Sequence, residues 1–193
     1  MLFSKSADAR MLGVQRMPSQ AEINYVIWQN RASRFYLAAR LLHRHELAAP
    51  AAFSATQALE LLLKATLVYW DEAFDPKVIG HAIAKLVRAV RNKVPCARSF
   101  DLPRYFFHEQ RYDTVTRYPA GDKGLLIPAS LLTDLDAAFV ALVGFVPFQH
   151  NTELKRALGG RDARALRILG RSNRNIRTLR KALGVQAPKR ATR

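Results

Sequence analysis

Four arginines, Arg164, Arg167, Arg171 and Arg174, recur at spacings of three and four near the end of the chain, and Arg177, Arg180 and Lys181 continue the series. On a helix such spacing gathers side chains on one face. Beside them Leu166, Leu169, Ile176, Leu179 and Leu183 keep a parallel apolar stripe. A tail that only improves solubility needs neither that stripe nor a preference for arginine, yet arginine outnumbers lysine ten to three from Asn151 onward. A planar guanidinium suits bidentate phosphate contacts and base stacking better than an ammonium does. The pattern therefore predicts a nucleic-acid-binding face carried by these seven basic residues. Other chemistries find little support. There is no HExxH, the only cysteine is Cys96, and no histidines cluster at metal-ligand spacing, so neither metal nor cofactor is expected. Gly121-Asp122-Lys123-Gly124 lacks the Ser or Thr that completes a phosphate-binding loop. Nothing supports a Ser-His-Asp or Cys-His nucleophile.

The charge balance agrees with the stripe. Of a net +16 over 193 residues, +11 lies from Asn151 onward, where 13 basic residues face only Glu153 and Asp162. So local an excess implies a partner of opposite sign, RNA or another nucleic acid. The length suits one ordinary domain with a real core. A lone cysteine fits a reducing, cytoplasmic setting. The opening MLFSKSADAR lacks the apolar core of a secretory signal, and the longest apolar run, Ala137 to Phe148, is well short of the ~20 residues that span a bilayer; no membrane association is expected.

Prolines divide the chain into helical lengths, and no stretch alternates long enough to argue a strand. The expected fold class is all-α. A first helix is predicted over about Ala21 to Glu46, with Trp28, Ala32, Phe35, Ala39 and Leu42 on one face. A second, Ala51 to Trp70, is apolar almost all round, as a central helix should be. A third runs Val78 to Val94 with Ile83, Leu86, Val87 and Val90 inward, and a fourth Pro128 to Val143. Between them, Asp101 is placed to cap a short helix reaching about Gln110. Three short helices follow, Thr152 to Leu158, Asp162 to Leu169 and Asn173 to Leu183, ended by glycines. The expected organisation is a flexible N-terminus over 1–20, a helical bundle over 21–148 and a basic amphipathic helical extension over 149–193. Trp28, Phe35, Phe139 and Phe145 offer more apolar surface than four helices readily cover, which argues for a symmetric dimer.

Ala52, Ala55, Gln57, Ala58, Glu60, Lys64 and Ala65 on the second helix, His81 at the head of the third, and Arg117-Tyr118-Pro119 before the fourth share their order and spacing with a known family. The stretch from about Ala21 to Val146 resembles the HEPN superfamily (higher eukaryotes and prokaryotes nucleotide-binding domains). The resemblance implies an antiparallel four-helix bundle, a homodimer, and pairing with a small nucleotidyltransferase in a toxin–antitoxin or phage-defence module. The residues themselves leave alternatives open. Glu60 and Lys64 form a favourable i,i+4 pair, and with Gln57 they are either a solvated edge or a hydrogen-bonded polar seam. Arg117 and Tyr118 read as a packing and capping feature or as a phosphate- or base-binding one.

Many HEPN proteins are metal-independent ribonucleases whose signature places four to six residues between an Arg and a His. A guanidinium there neutralises charge growing on the phosphoryl oxygens while an imidazole shuttles the proton. Here only Arg40 and His45 have that spacing, but they lie on the first helix, Leu41 replaces the polar residue common after the Arg, and the pair sits about 140° apart on a helical wheel. The alternative is that Arg40, His43, Arg44 and His45 form a solvated basic face. Arg104 and His108 lie in the more appropriate region with a spacing one residue too short, although i,i+4 geometry on an α-helix would align them. The expected function is RNA binding without the standard nuclease motif. The rivals are a metal-independent endoribonuclease using an irregular Arg/His pair, and a protein-interaction module with a basic docking tail.

Overall fold

The computed structural model describes residues 20–108, 127–149, 152–160 and 163–185. Arg117, Tyr118 and Pro119, the Gly121–Gly124 turn and the N-terminus before residue 20 lie outside the described residues. Among the described residues all regular structure is helical. The helices are α1 (Gln20–Arg44), α2 (Ala48–Trp70), α3 (Pro76–Ile79), α4 (Ile83–Lys93), α5 (Leu131–Val143), α6 (Glu153–Gly159), α7 (Ala163–Gly170) and α8 (Ile176–Ala182), with 3₁₀ turns at Pro95–Ala97 and Arg104–His108.

α2 is the axis of the fold and packs against α1, α4 and α5. It is apolar enough and long enough to cross a membrane, but 89% of its apolar window is buried inside the protein, as befits a core helix. Ala52, Ala55, Ala58 and Ala65 are fully buried along it, and small side chains let neighbouring helices approach closely. The third predicted helix is two pieces. Gly80, in the left-handed region at φ +67°, ends α3, and the chain restarts at α4. Ile83, Leu86, Val87 and Val90 are all buried, as their spacing requires.

The buried face of α1 is turned from the expected one. Ala32 and Ala39 are buried, but Trp28, Phe35 and Leu42 are only half-buried. Fully enclosed instead are Gln29, Ser33, Tyr36 and Arg40, polar groups that an apolar-periodicity reading assigns to solvent. Each has hydrogen-bond partners, as burial demands. The Gln29 amide donates to the Pro147 carbonyl at 2.8 Å and accepts from the Gln149 N–H at 3.3 Å. The Ser33 hydroxyl donates to the Gln29 carbonyl at 2.9 Å.

α1 reverses into α2 through a Schellman turn, in which the Leu47 N–H reaches the Leu42 carbonyl and the Glu46 N–H the His43 carbonyl. The left-handed position, φ +62°, is held by Glu46 where glycine is usual. Further along, the Thr152 hydroxyl caps α6 by accepting from the Lys155 N–H. Leu154, Leu158, Leu169, Leu179 and Leu183 all enter the same buried cluster as α1, α2, α4 and α5. The three C-terminal helices are thus part of the core, with α6 and α7 on α1 and α8 on α5. The aromatic argument for a dimer loses a member, because Phe139 is fully buried and the other three are half-buried within the chain.

Two outcomes follow. Leu179→Ala should cost about 2–5 kcal/mol in urea unfolding, comparable to Leu62→Ala in α2, whereas an independent tail would leave the main transition unchanged. Glu46→Gly should raise the unfolding free energy by about 1 kcal/mol by relieving the left-handed backbone.

Candidate nucleic-acid interface

The C-terminal helices present the arginine stripe. Arg164, Arg167, Arg171, Arg174, Arg177 and Lys181 are exposed, on helices whose opposite sides bury Leu169 and Leu179. Arg180 departs from the stripe. It is half-buried, and its Nε is enclosed without a hydrogen-bond partner.

Arg40 holds this surface to the bundle. Its side chain is 1% exposed, as is that of Asp136 on α5. Nη1 donates to both carboxylate oxygens of Asp136, at 2.7 and 2.6 Å. Nε donates to the Ile168 carbonyl at 3.4 Å and Nη2 to the Arg171 carbonyl, so the guanidinium closes the C-terminal end of α7. A cation there also complements the negative end of the helix dipole. The Tyr36 hydroxyl donates to Asp136 Oδ1 at 2.6 Å and accepts from the Asn173 amide at 3.2 Å. Asn173 in turn holds the turn between α7 and α8, its Oδ1 accepting from the Asn175 N–H at 3.0 Å. Burial pushes the Asp136 carboxyl upward, with the Arg40 charge and the Tyr36 and Arg40 hydrogen bonds pulling it back. Burial also lifts the Tyr36 phenol well above its usual value, reinforced by the Asp136 charge. The phenol therefore keeps its proton and acts as a donor.

Arg40 and His45 are accordingly not brought together. The guanidinium is buried, paired with Asp136 and part of no solvated face, while His43, Arg44 and His45 are exposed. Arg104 and His108 do not share a helix face either. They bound a 3₁₀ turn, in which positions four apart stand about 120° from one another, unlike the near alignment of an α-helix. Arg104 is exposed, and the His108 side chain lies outside the described features.

Gln57, Glu60, Lys64 and His81 do meet, as the polar seam. Glu60 is 2% exposed, and its Oε1 accepts from Lys64 Nζ at 2.6 Å and contacts His81 Nδ1 at 3.0 Å, while Gln57 donates to Oε2 at 3.3 Å. Lys64 Nζ stands 5.5 Å from the centre of the Trp28 ring, a cation–π contact between α2 and α1. Each charge in this seam is compensated, which is the condition for burying it.

Tyr36, Asp136 and Asn173 were not among the sequence candidates. A signal for Asp136 exists, since LLTDLDAAFVALV places it beside Leu135 and one turn before Phe139 and Val140, on an otherwise apolar face. Its partner, 96 residues away, leaves no local trace.

Asp136→Ala should cost about 3–5 kcal/mol, because it strands a buried guanidinium. The paired change Arg40→Met with Asp136→Leu should recover a large part of that loss in urea unfolding. Equal destabilisation by the single and double variants would show that the ion pair is not what the site depends on.

Neither the curated proteins nor the solved structures contain a match to the chain. The family model for the HEPN domain matches residues 25–140, more than half of the sequence, from within α1 to the last turn of α5. The helical architecture agrees with that match, and the chain belongs to the HEPN domain family.

Proposed function

We propose that this protein is an RNA-binding member of the HEPN family that does not use the family's usual nuclease motif. The observation carrying the reading is a basic face docked on the core. Six exposed cations lie on α7, α8 and the turn between them, and these helices are anchored by core leucines and by the Arg40–Asp136 pair. A preordered array loses less conformational freedom on binding than a floppy tail would. The engagement of Arg40 supports the non-catalytic part, since its guanidinium is buried and directed to the Asp136 carboxylate and the Ile168 and Arg171 carbonyls.

The wider reading follows the family. We place the protein in the cytoplasm as a homodimer, paired with a small nucleotidyltransferase in a toxin–antitoxin or defence module. Light scattering at tens of micromolar tests the dimer, and a monomer there would end it.

The endoribonuclease reading has one observation on its side. His81 is a largely exposed imidazole whose Nδ1 meets a buried carboxylate, the arrangement by which enzymes orient a general acid or base. Metal-free cleavage of single-stranded RNA that His81→Ala abolishes would favour it.

Binding should weaken steeply with salt. If Arg164, Arg167, Arg171 and Arg174 each meet a phosphate, the log–log slope from these four is about −3 on single strands. Replacing all four with glutamine should remove most of that slope while the helical circular dichroism is retained. An unchanged slope would move the binding face elsewhere. Truncation after Gly159 is a poor substitute, because it also strips Leu169, Leu179 and Leu183 from the core and uncovers Arg40.

A further inference from the structure

Where α1 ends, α5 begins and α7 turns into α8, the surface sinks into a cleft of about 380 Å³. Such a volume falls among those of ligand sites. Arg44 and Arg171 stand on its walls, both exposed and neither ion-paired among the described residues. Thr133 and Ser172 add hydroxyl groups. Both non-glycine residues with left-handed backbones among the described residues, Glu46 at φ +62° and Ser172 at φ +55°, also line it.

The charges in the cleft can be apportioned. Arg40 reaches the cleft, but Asp136 balances it. The Ile168 carbonyl in the last turn of α7 and the Arg171 carbonyl just past it are taken up by Arg40, and the Leu42 and His43 carbonyls at the end of α1 by its own Schellman turn. Glu46 offsets one of the two remaining arginines, which leaves about one uncompensated positive charge from the arginines. One positive charge beside two hydroxyl donors matches a phosphodiester, which carries one negative charge, better than a terminal phosphate monoester, which approaches two. Arg171 is also a member of the arginine stripe, so the cleft and the stripe are continuous.

We propose that this cleft is a phosphodiester subsite for the RNA strand that runs along α7 and α8, with Arg44 and Arg171 as its charged arms and Glu46 setting its charge. The proposal rests on the RNA-binding reading, but the cleft can be tested apart from it. The first probe is inorganic phosphate, compared with chloride at matched ionic strength, read as a shift in melting temperature. At ten times its dissociation constant, phosphate should raise the melting temperature of the full chain by roughly 3–6 °C. Arg44→Gln should abolish the shift, and Lys85→Gln, on the exposed face of α4, should keep it. Glu46→Gln keeps the backbone demand at that position and removes only the charge, so it should enlarge the shift. A gain of this kind is not something a merely damaged fold produces.

The second arm uses single-stranded RNA of one sequence with a 5′-hydroxyl or a 5′-phosphate. Equal affinities, both falling several-fold in Arg44→Gln with a salt slope shallower by about 0.7, support an internal phosphodiester. A preference for the 5′-phosphate that Arg44→Gln removes would overturn the diester assignment in favour of a strand end. A phosphate shift that survives Arg44→Gln, or one that Glu46→Gln reduces, would overturn the site. If phosphate behaves as expected but no RNA binds the full chain, the RNA reading has failed and the cleft is a site for free phosphate.

Discussion

A buried guanidinium must be paid for in contacts, and Arg40 collects them from two distant parts of the chain at once. Asp136 supplies the counter-charge from α5, and the carbonyls of Ile168 and Arg171 supply acceptors from the end of α7. Tyr36 donates to the same carboxylate and accepts from Asn173, which extends the network to the turn before α8. Such a network is costly when partly satisfied and stabilising only when complete. It therefore constrains α1, α5 and the turn between α7 and α8 to one relative arrangement. The leucines of the C-terminal helices add apolar area, but they are less demanding about direction; the guanidinium fork accepts few geometries.

That constraint explains how a strongly basic segment can be ordered. Like charges along two short helices repel, and helices of seven or eight residues are marginal alone. Here their ends are tied by hydrogen bonds from the bundle and their inner faces are buried, so the repulsion is borne by a folded surface. The exposed charges face outward, where an anionic partner would relieve their repulsion.

The sequence makes one half of this plain and conceals the other. Helix positions follow from proline punctuation and apolar spacing: α2, the inward residues of α4 and the three C-terminal helices all lie within a few residues of expectation. The boundary at Gly80 is less visible, since an isolated glycine in a helical pattern is tolerated at a modest cost and need not end it. The polar interior was hardest to read. Gln29, Ser33 and Arg40 fall on the inner face of α1, yet spacing rules sort residues by polarity and send them outward. The partners of Gln29 and Arg40 lie about a hundred residues away, a distance at which local pattern carries no information. Glu60 and Lys64 are the instructive exception. Their pairing is local, at i and i+4, so the seam was legible as a contact even though its burial was not.

The way Arg40 closes α7 bears on how such chains diverge. Within the HEPN family match, residues 25–140, Arg40 and Asp136 look self-contained, yet two acceptors of that arginine lie beyond its end. A lineage that discarded the C-terminal helices while keeping Arg40 would leave that guanidinium short of acceptors, and one that replaced Arg40 would leave the end of α7 uncapped. Inheritance of the pair and of the helices should therefore be linked, so that an arginine at this place on the first helix, with an aspartate on the helix that packs over it, would mark relatives that retain the appended segment.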